Sequence, residues 1–355
     1  MKLIKEYFKK NSKKTIFNVF SLLVLFISFI VFNHYNNLLP SQKMSDRWSY
    51  EDNKFSQVSV FLSNDYKADK SAISDYKNKI NMKLIQQSVS KTKSKENFNM
   101  TYSTFPVSLN IKSEKTNLEV DSIFVGENFF EFHPYEILSG YYFKENETLE
   151  RRIIIDDYAA WELFGSIDLY DVPVEINGFE YKIAGVIKRE TDKVNDKTYP
   201  KKHLVYILYD NMTDLEVESP INSIESVIPE PVKGFAKGLV NEYYKEAGVN
   251  EFYFKVVNNT NRYNYDKLFK IITSFGARAI VDVSIKFPYW ENSARVVENY
   301  LSLVFLLQLI IVVYWFIKLL ILIIKIFTHK NFNLKFIINL FEKKIKKLKE
   351  RKERS

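Results

Sequence analysis

The residues that could do chemistry are few and scattered. Asp156 and Asp157 stand side by side, and two carboxylates can share acid and base work when both reach one substrate. Adjacent residues at a strand end point to different faces. The pair is therefore expected as a helix N-cap beside a solvated acid. His34, His133, His203 and His329 are far apart and form no H-E-x-x-H, the spacing that sets two imidazoles on one helix face. No G-x-x-x-x-G-K run followed by Ser or Thr is present to cradle a phosphate, and no G-x-S-x-G marks a nucleophile elbow. The chain has no cysteine, which removes disulfides, thiolate zinc sites, thiol nucleophiles and lipid attachment at Cys together. A non-enzyme that uses neither metal nor cofactor is the expectation.

Two apolar stretches must position whatever lies between them. Leu301 to Ile324 is a run of 24 residues broken only by Gln308 and Lys318. As a helix it would rise about 36 Å, enough to cross a hydrocarbon core of about 30 Å with some tilt. Lys318 sits near one end, where its long stem can carry the ammonium to the headgroups. Thr15 to Phe32 is shorter but free of charge, and Asn33-His34-Tyr35-Asn36-Asn37 follows it in place of a small-residue cleavage site. It is expected as a retained anchor, a cleaved signal peptide being the rival reading. The spans are placed at 15–33 and 300–326.

Charge orients them. Residues 1–14 hold six Lys and one Glu, and residues 329–355 hold ten Lys or Arg and three Glu. With Lys318 and Lys325 set apart, residues 15–317 are left at −6 of the overall +8. Basic flanks stay cytoplasmic. Both termini are thus expected on the cytoplasmic side of the cell membrane, with residues 34–299 outside. The centre has no basic patch interleaved with stacking aromatics, so nucleic acid is not expected as a partner.

Within that centre, strands and helices alternate. Gln57–Leu62 carries Val58, Val60 and Leu62 on one side, as a half-buried strand does. Ala68–Val89 reads as a helix through Ile73, Tyr76, Ile80, Met82, Leu84 and Ile85, and Ser90–Asn99 as a loop. Strands are expected at Leu118–Val125, Arg152–Ile155, Val172–Ile176, Phe179–Ile187 and His203–Tyr209. Asn177-Gly178 is a two-residue hairpin signal. Asp157–Phe164 reads as a short helix stopped at Gly165. Lys188–Lys202 is charged and lacks an apolar period, so it is expected as an exposed loop. A second alternation follows: strand Ser223–Ile228, helix Val232–Ala247, strand Glu251–Val257, helix Tyr263–Phe275 and strand Ala277–Ile285. Tyr289 and Trp290 are expected at the membrane interface, where such rings are enriched. The 23 Tyr and 29 Phe are read mainly as core, a carbohydrate or lipid groove being the alternative.

At Phe129–Ile187 the sequence resembles a known family. Leu138–Phe143, Ile153–Ile155, Ala159–Gly165, and Val174–Ile187 with Gly185 follow the phrases of the extracytoplasmic core domain of MacB-like ABC transporter permeases. Gln57–Phe61 and Pro288–Tyr300 (PYWENSARVVENY) are similar to a permease-like subgroup found in Firmicutes. The family usually has four spans, and this sequence shows two. The resemblance implies an α+β extracytoplasmic domain of two interleaved lobes, one about 45–127 with 220–290 and an inserted one about 128–215, flanked by two transmembrane helices. It also implies a non-catalytic, permease-like subunit working with a separate ABC ATPase and with other permease or membrane-fusion-type subunits, as a homo- or hetero-dimer.

Three further expectations concern the ends. Residues 1–14 place Leu3, Ile4, Tyr7 and Phe8 opposite lysines, as an interfacial helix or a plain basic flank. In the tail, 327–355, Phe336, Ile337, Leu340 and Phe341 share a helical side, with Lys343, Lys344 and Lys347 opposite. That face suits anionic lipid or a docked ATPase. A continuous helix from about Asn292 to Lys325, with Arg295, Val297 and Glu298 ahead of the span, is the lever by which motion inside would reach the outer domain. The other reading, from a different class, is a membrane-anchored sensor or adaptor that binds a peptide, lipid or wall fragment.

Overall fold

Eleven strands joined edge to edge carry the larger part of the chain. The structure, a computed structural model, describes residues 12–49, 54–87, 89, 98–143, 151–274 and 285–329. Two units emerge, Asn33–Ser302 and a helical unit of Met1–Phe32 with Leu303–Ser355. The first is a mixed α/β domain.

In the domain, strand β1 (Phe55–Leu62) lies between β10 (Ile221–Pro229) and β11 (Phe254–Asn258), both antiparallel to it. The order then runs through β2 (Asn99–Thr104), β4 (Asn117–Glu127), β3 (Val107–Lys112), β7 (Pro173–Ile176), β8 (Phe179–Ile187), β6 (Arg152–Asp156) and β9 (Leu204–Leu208). β9 pairs back onto β4 in parallel. Strands β4, β3, β7, β8, β6 and β9 thus form a closed ring, which leaves no free edge on that side. Short β5 (Ile137–Gly140) adds to β8.

Two apolar cores follow from this order. The first joins Val58, Val60 and Leu62 of β1 to Tyr102 of β2 and Ile224 of β10. Helices α3 (Lys70–Gln86) and α6 (Phe235–Glu246) close it with Ile73, Tyr76, Ile80 and Leu84, and with Leu239, Val240 and Tyr244. The second fills the ring with Ile111, Val120, Ile153, Ile155, Tyr181 and Ile207, sealed by Ala159, Ala160 and Leu163 of α5 (Asp157–Phe164).

Several local expectations hold. Asp156 caps α5 by accepting from the Ala159 amide at 2.7 Å, and it also accepts from the Leu204 amide at 2.9 Å. Gly165 ends the helix at φ +69. Asn177 and Gly178, at φ +49 and +84, make the left-handed pair that a type I′ hairpin turn requires. A Cβ at Gly178 would meet nothing within 4 Å, so only backbone strain opposes a side chain there. Gly178→Val should cost about 1–2 kcal/mol, read as a lowered midpoint of denaturant unfolding. Unchanged stability would remove the turn assignment.

Others are corrected. β1 is buried along its whole length, not on one face. Its polar side is covered too: Gln57 Oε1 accepts from the Met44 amide and its Nε2 donates to the Ser41 carbonyl. Met82 and Ile85 point outward from α3, 56% and 54% exposed, because Ile73, Tyr76, Ile80 and Leu84 already complete the buried stripe. Strands β2 and β3 stand where no strand was expected. The loop expectation over Ser90–Asn99 falls mainly on residues outside those described, and Asn99 itself opens β2. The strand expected at Ala277–Ile285 is likewise outside them except for Ile285, which is not in a strand.

The helical unit holds most of α1 (Ser12–Asn36) and of the last helix, α8 (Tyr289–His329). Both are longer than the spans drawn from sequence. Each is long and apolar enough to cross a membrane, and only 11% of either apolar window is buried. A core helix of a soluble protein would hide such a surface, whereas lipid accepts it on every side. Tyr314 donates to Asn18 Oδ1 at 2.9 Å and Trp315 Nε1 to Ser21 Oγ at 3.2 Å, the kind of polar contact that joins helices in lipid. Lys318 Nζ lies 4.7 Å from the Trp315 ring centroid.

Candidate functional site

The first turns of α8 are built into the domain, and the side chains that hold them form the most elaborate polar constellation among the described residues. Tyr289 and Trp290 are 5% and 4% exposed, packed with Phe129, Phe130 and Tyr206. These two rings belong to the domain core and not to a membrane interface. A large ring with one polar atom suits any site that pairs that atom, and here the partners are internal. The Tyr289 hydroxyl lies 2.7 Å from that of Tyr135 and 3.2 Å from that of Tyr206, which donates to Tyr135 at 3.1 Å. Burial raises the pKa of all three, so the cluster works with neutral hydroxyls.

Trp290 Nε1 donates to Glu225 Oε1 at 3.1 Å. The same oxygen is 2.7 Å from His133 Nε2, and Ser59 Oγ donates to Oε2 at 3.2 Å. Glu225 comes from β10, Ser59 from β1, and His133 from the end of α4 (Phe129–Phe132), so one carboxylate ties three elements to the helix start.

Arg262 holds a second face. It follows β11, just ahead of α7 (Tyr265–Thr273), and is 4% exposed. Its Nη1 and Nη2 donate to both oxygens of Glu291 at 2.7 and 2.8 Å, its Nε to Glu298 at 2.7 Å, and Nη1 also to Gln42 Oε1 at 3.1 Å. Burial works against the cation, but Glu291 and Glu298 overcome it and its pKa is raised. Bidentate geometry of this kind needs the planar guanidinium.

The residues expected as a lever are brought to this seat. Arg295 donates to Glu291 at 2.8 Å and lies 3.8 Å from the Phe287 ring centroid. Glu298 accepts from Arg262, and Val297 is fully buried beside Ala294 and Leu301. Val297 is therefore a packing residue of the domain and not a position between domain and span. Residues 1–11 and the tail face of Phe336, Ile337, Leu340, Phe341, Lys343, Lys344 and Lys347 lie outside the described residues.

The segment 188–202 grips a third face. Tyr289 donates to Glu190 at 3.3 Å, Thr198 Oγ1 is 2.5 Å from Ser293 Oγ, and Lys197 donates to the Tyr300 hydroxyl. Val194 is fully buried and Tyr199 7% exposed, so this is no simple exposed loop. Its charges hide two anchors that show no period. The whole seat gathers residues from seven places in the chain around the start of α8, at Gln42, Ser59, 129–135, 188–202, Tyr206, Glu225 and Arg262. The charged run Glu291, Arg295, Glu298 on an otherwise apolar helix was its one local signal. Arg262, His133 and Glu225 carried none.

Next to the seat opens a groove of about 1520 Å³. Lys54, Lys233, Lys237, Lys255, Lys267 and Lys270 line it, against Glu230 and Asp266. Burial, then Lys255, lowers the Lys237 pKa. Burial likewise brings Lys267 down to about 8, with Arg262 and Lys237 adding to it and Asp266 opposing. Glu230 is committed to the Gly234 and Ala236 amides. The described residues hold no cluster of His, Asp or Glu suited to a metal ion.

No family model matches the sequence, and no curated protein does. Solved structures do. The periplasmic region of MacB from Actinobacillus actinomycetemcomitans aligns with a TM-score of 0.42 and 16% identity over 61% of this chain and 92% of that one. The extracellular domain of the noncanonic ABC-type transporter YknZ from Gram-positive bacteria aligns at 0.37 and 14%, covering 57% and 100%. A domain of a putative permease protein from Porphyromonas gingivalis aligns at 0.36 and 11%, covering 62% and 92%.

Proposed function

We propose that this chain is a non-catalytic, permease-like membrane subunit of a MacB-type ABC system, in which α8 relays ATP-driven motion to a domain outside the cell membrane. One observation carries the reading: a single helix, Tyr289–His329, is clamped by buried polar groups at its start and is apolar enough to span lipid over the rest. A tether has no use for an arginine bridging two carboxylates, whereas a relay must not slip in its seat. The sequence phrases at Gln57–Phe61, Phe129–Ile187 and Pro288–Tyr300 support the family. The basic ends around a −6 centre support cytoplasmic termini and attraction to anionic lipid. On this reading the partners are a separate ABC ATPase, docked on the tail face from Phe336 to Lys347, and further permease or membrane-fusion-type subunits, the assembly containing a homo- or hetero-dimer. The two interleaved lobes, 45–127 with 220–290 and 128–215, are the parts that would move.

A second reading, a membrane-anchored sensor or adaptor, draws support from the lysine-lined groove, whose cations outnumber its uncommitted carboxylates. Purification in mild detergent separates the two. The first expects an ABC ATPase and at least one multi-span chain in stoichiometric amount. A chain that purifies alone and retains an anionic ligand would overturn it in favour of the second.

A further inference from the structure

We infer that the segment 188–202 is a proton-sensitive clasp on the start of α8, with Glu190 as the group that takes the proton. The inference rests on the reading above only for what the clasp would release; the clasp itself stands on contacts within the domain. The segment touches α8 at Tyr289, Ser293 and Tyr300, the second and third contacts about one and three turns on from the first along one side of the helix. At its upper end Glu190 meets Tyr289 beside a cavity of about 10 Å³, room for one water. His133, Tyr135, Asn195 and Trp290 share that lining.

The charges that act on Glu190 are Asp192 and His133. Asp192 is engaged by the Val194 and Asn195 amides and by Asn195 Nδ2. His133 is paired with Glu225. The Arg189 guanidinium lies over Tyr199 at 4.3 Å and donates to the Pro200 carbonyl. Tyr135, Tyr199 and Tyr206 present neutral hydroxyls. Glu190 is left with one long hydrogen bond. Burial pushes its carboxyl up to about 7, Asp192 adds to this, and His133 and the Tyr289 hydroxyl oppose.

The sign follows from linkage. A carboxyl whose pKa is raised in the closed clasp binds its proton more tightly closed than open. Closure is therefore fully supported below the ordinary carboxylate range and weakens as pH rises toward about 7. Acid tightens the grip on α8, and neutral to basic pH loosens it.

The test is hydrogen exchange of 188–202 in the full chain in detergent, from pH 5.5 to 8, corrected for the intrinsic pH dependence of exchange. Amides such as those of Lys197, Thr198 and Tyr199 are bonded within the segment and report its opening. Glu190 is partly exposed, so the expected loss of protection across this range is about tenfold, less than its full shift would give. Glu190→Gln should hold the acid-level protection at every pH. Tyr289→Phe, which removes a donor to the carboxylate, should move the midpoint to higher pH. Protection that is flat in the unmodified chain, or pH dependence that survives Glu190→Gln, would overturn the clasp. Because exchange reads the clasp without any ATPase present, these outcomes are independent of whether the relay reading stands.

Discussion

Arg262→Ala is expected to destabilise the central domain by about 3–5 kcal/mol, the loss typical of a buried ion pair from which one partner is removed. Glu291 is 1% exposed and Glu298 12% at its side chain, so removing the cation leaves one carboxylate deeply buried and a second nearly so. Without Arg262, Glu291 keeps only Arg295. Arg262→Lys should fall between the two, because one ammonium cannot serve Glu291 through both oxygens and Glu298 as well. Thermal unfolding of the three proteins reads this directly. A deficit under about 1 kcal/mol would mean that the network is no stronger than a surface ion pair and that the seat is held by its aromatic core alone.

The second large effect is functional. Asn299→Pro should uncouple the two ends of α8 while leaving the domain folded. Val297, one of the three lever residues named from sequence, is fully buried, and proline there would damage packing as well as the helix. Asn299 is exposed and makes no side-chain contact among those described, so proline acts there through the backbone alone. It removes one amide donor and collides with the preceding turn, at about 3 kcal/mol of local helix and with a kink. The expected result is normal expression, a folded domain with a lowered but still cooperative melting transition, and retained ATPase, but loss of stimulated ATPase activity in the purified complex. Asn299→Ala should behave as the unmodified protein. Full activity from a well-expressed Asn299→Pro chain would mean that α8 carries no motion, and the anchored sensor or adaptor would then be the better reading.

Sequence by itself determined the features whose cause is local. Twenty-four nearly uninterrupted apolar residues are long and apolar enough to cross a membrane as a helix, and α8 contains them. Asn177-Gly178 needs left-handed backbone at both positions and adopts it. Asp156 and Gly165 bracket α5 because each end of a helix leaves groups that a carboxylate or a left-handed glycine satisfies. The run Glu291, Arg295, Glu298 showed that α8 begins among charges, without showing what they meet.

Tertiary structure alone decided the rest. Asn99–Thr104 alternates Met100 and Tyr102, which enter the first core, with polar residues that find partners across the sheet, Ser103 with Ser223 and Thr101 with the Gly126 carbonyl. Two apolar residues in six give too short a period to mark a strand, and only the neighbouring strands bury both of its faces. Closure of the ring depends on β9 returning to β4 across more than seventy residues of chain, a pairing for which no neighbouring residue supplies a signal. The same holds for the seat. Arg262 lies 29 residues before Glu291 and 36 before Glu298, and Glu225 lies 92 from His133. A charge in isolation reads as solvated, and only the fold, by bringing opposite charges together and removing water from between them, turns these residues into the grip on a helix.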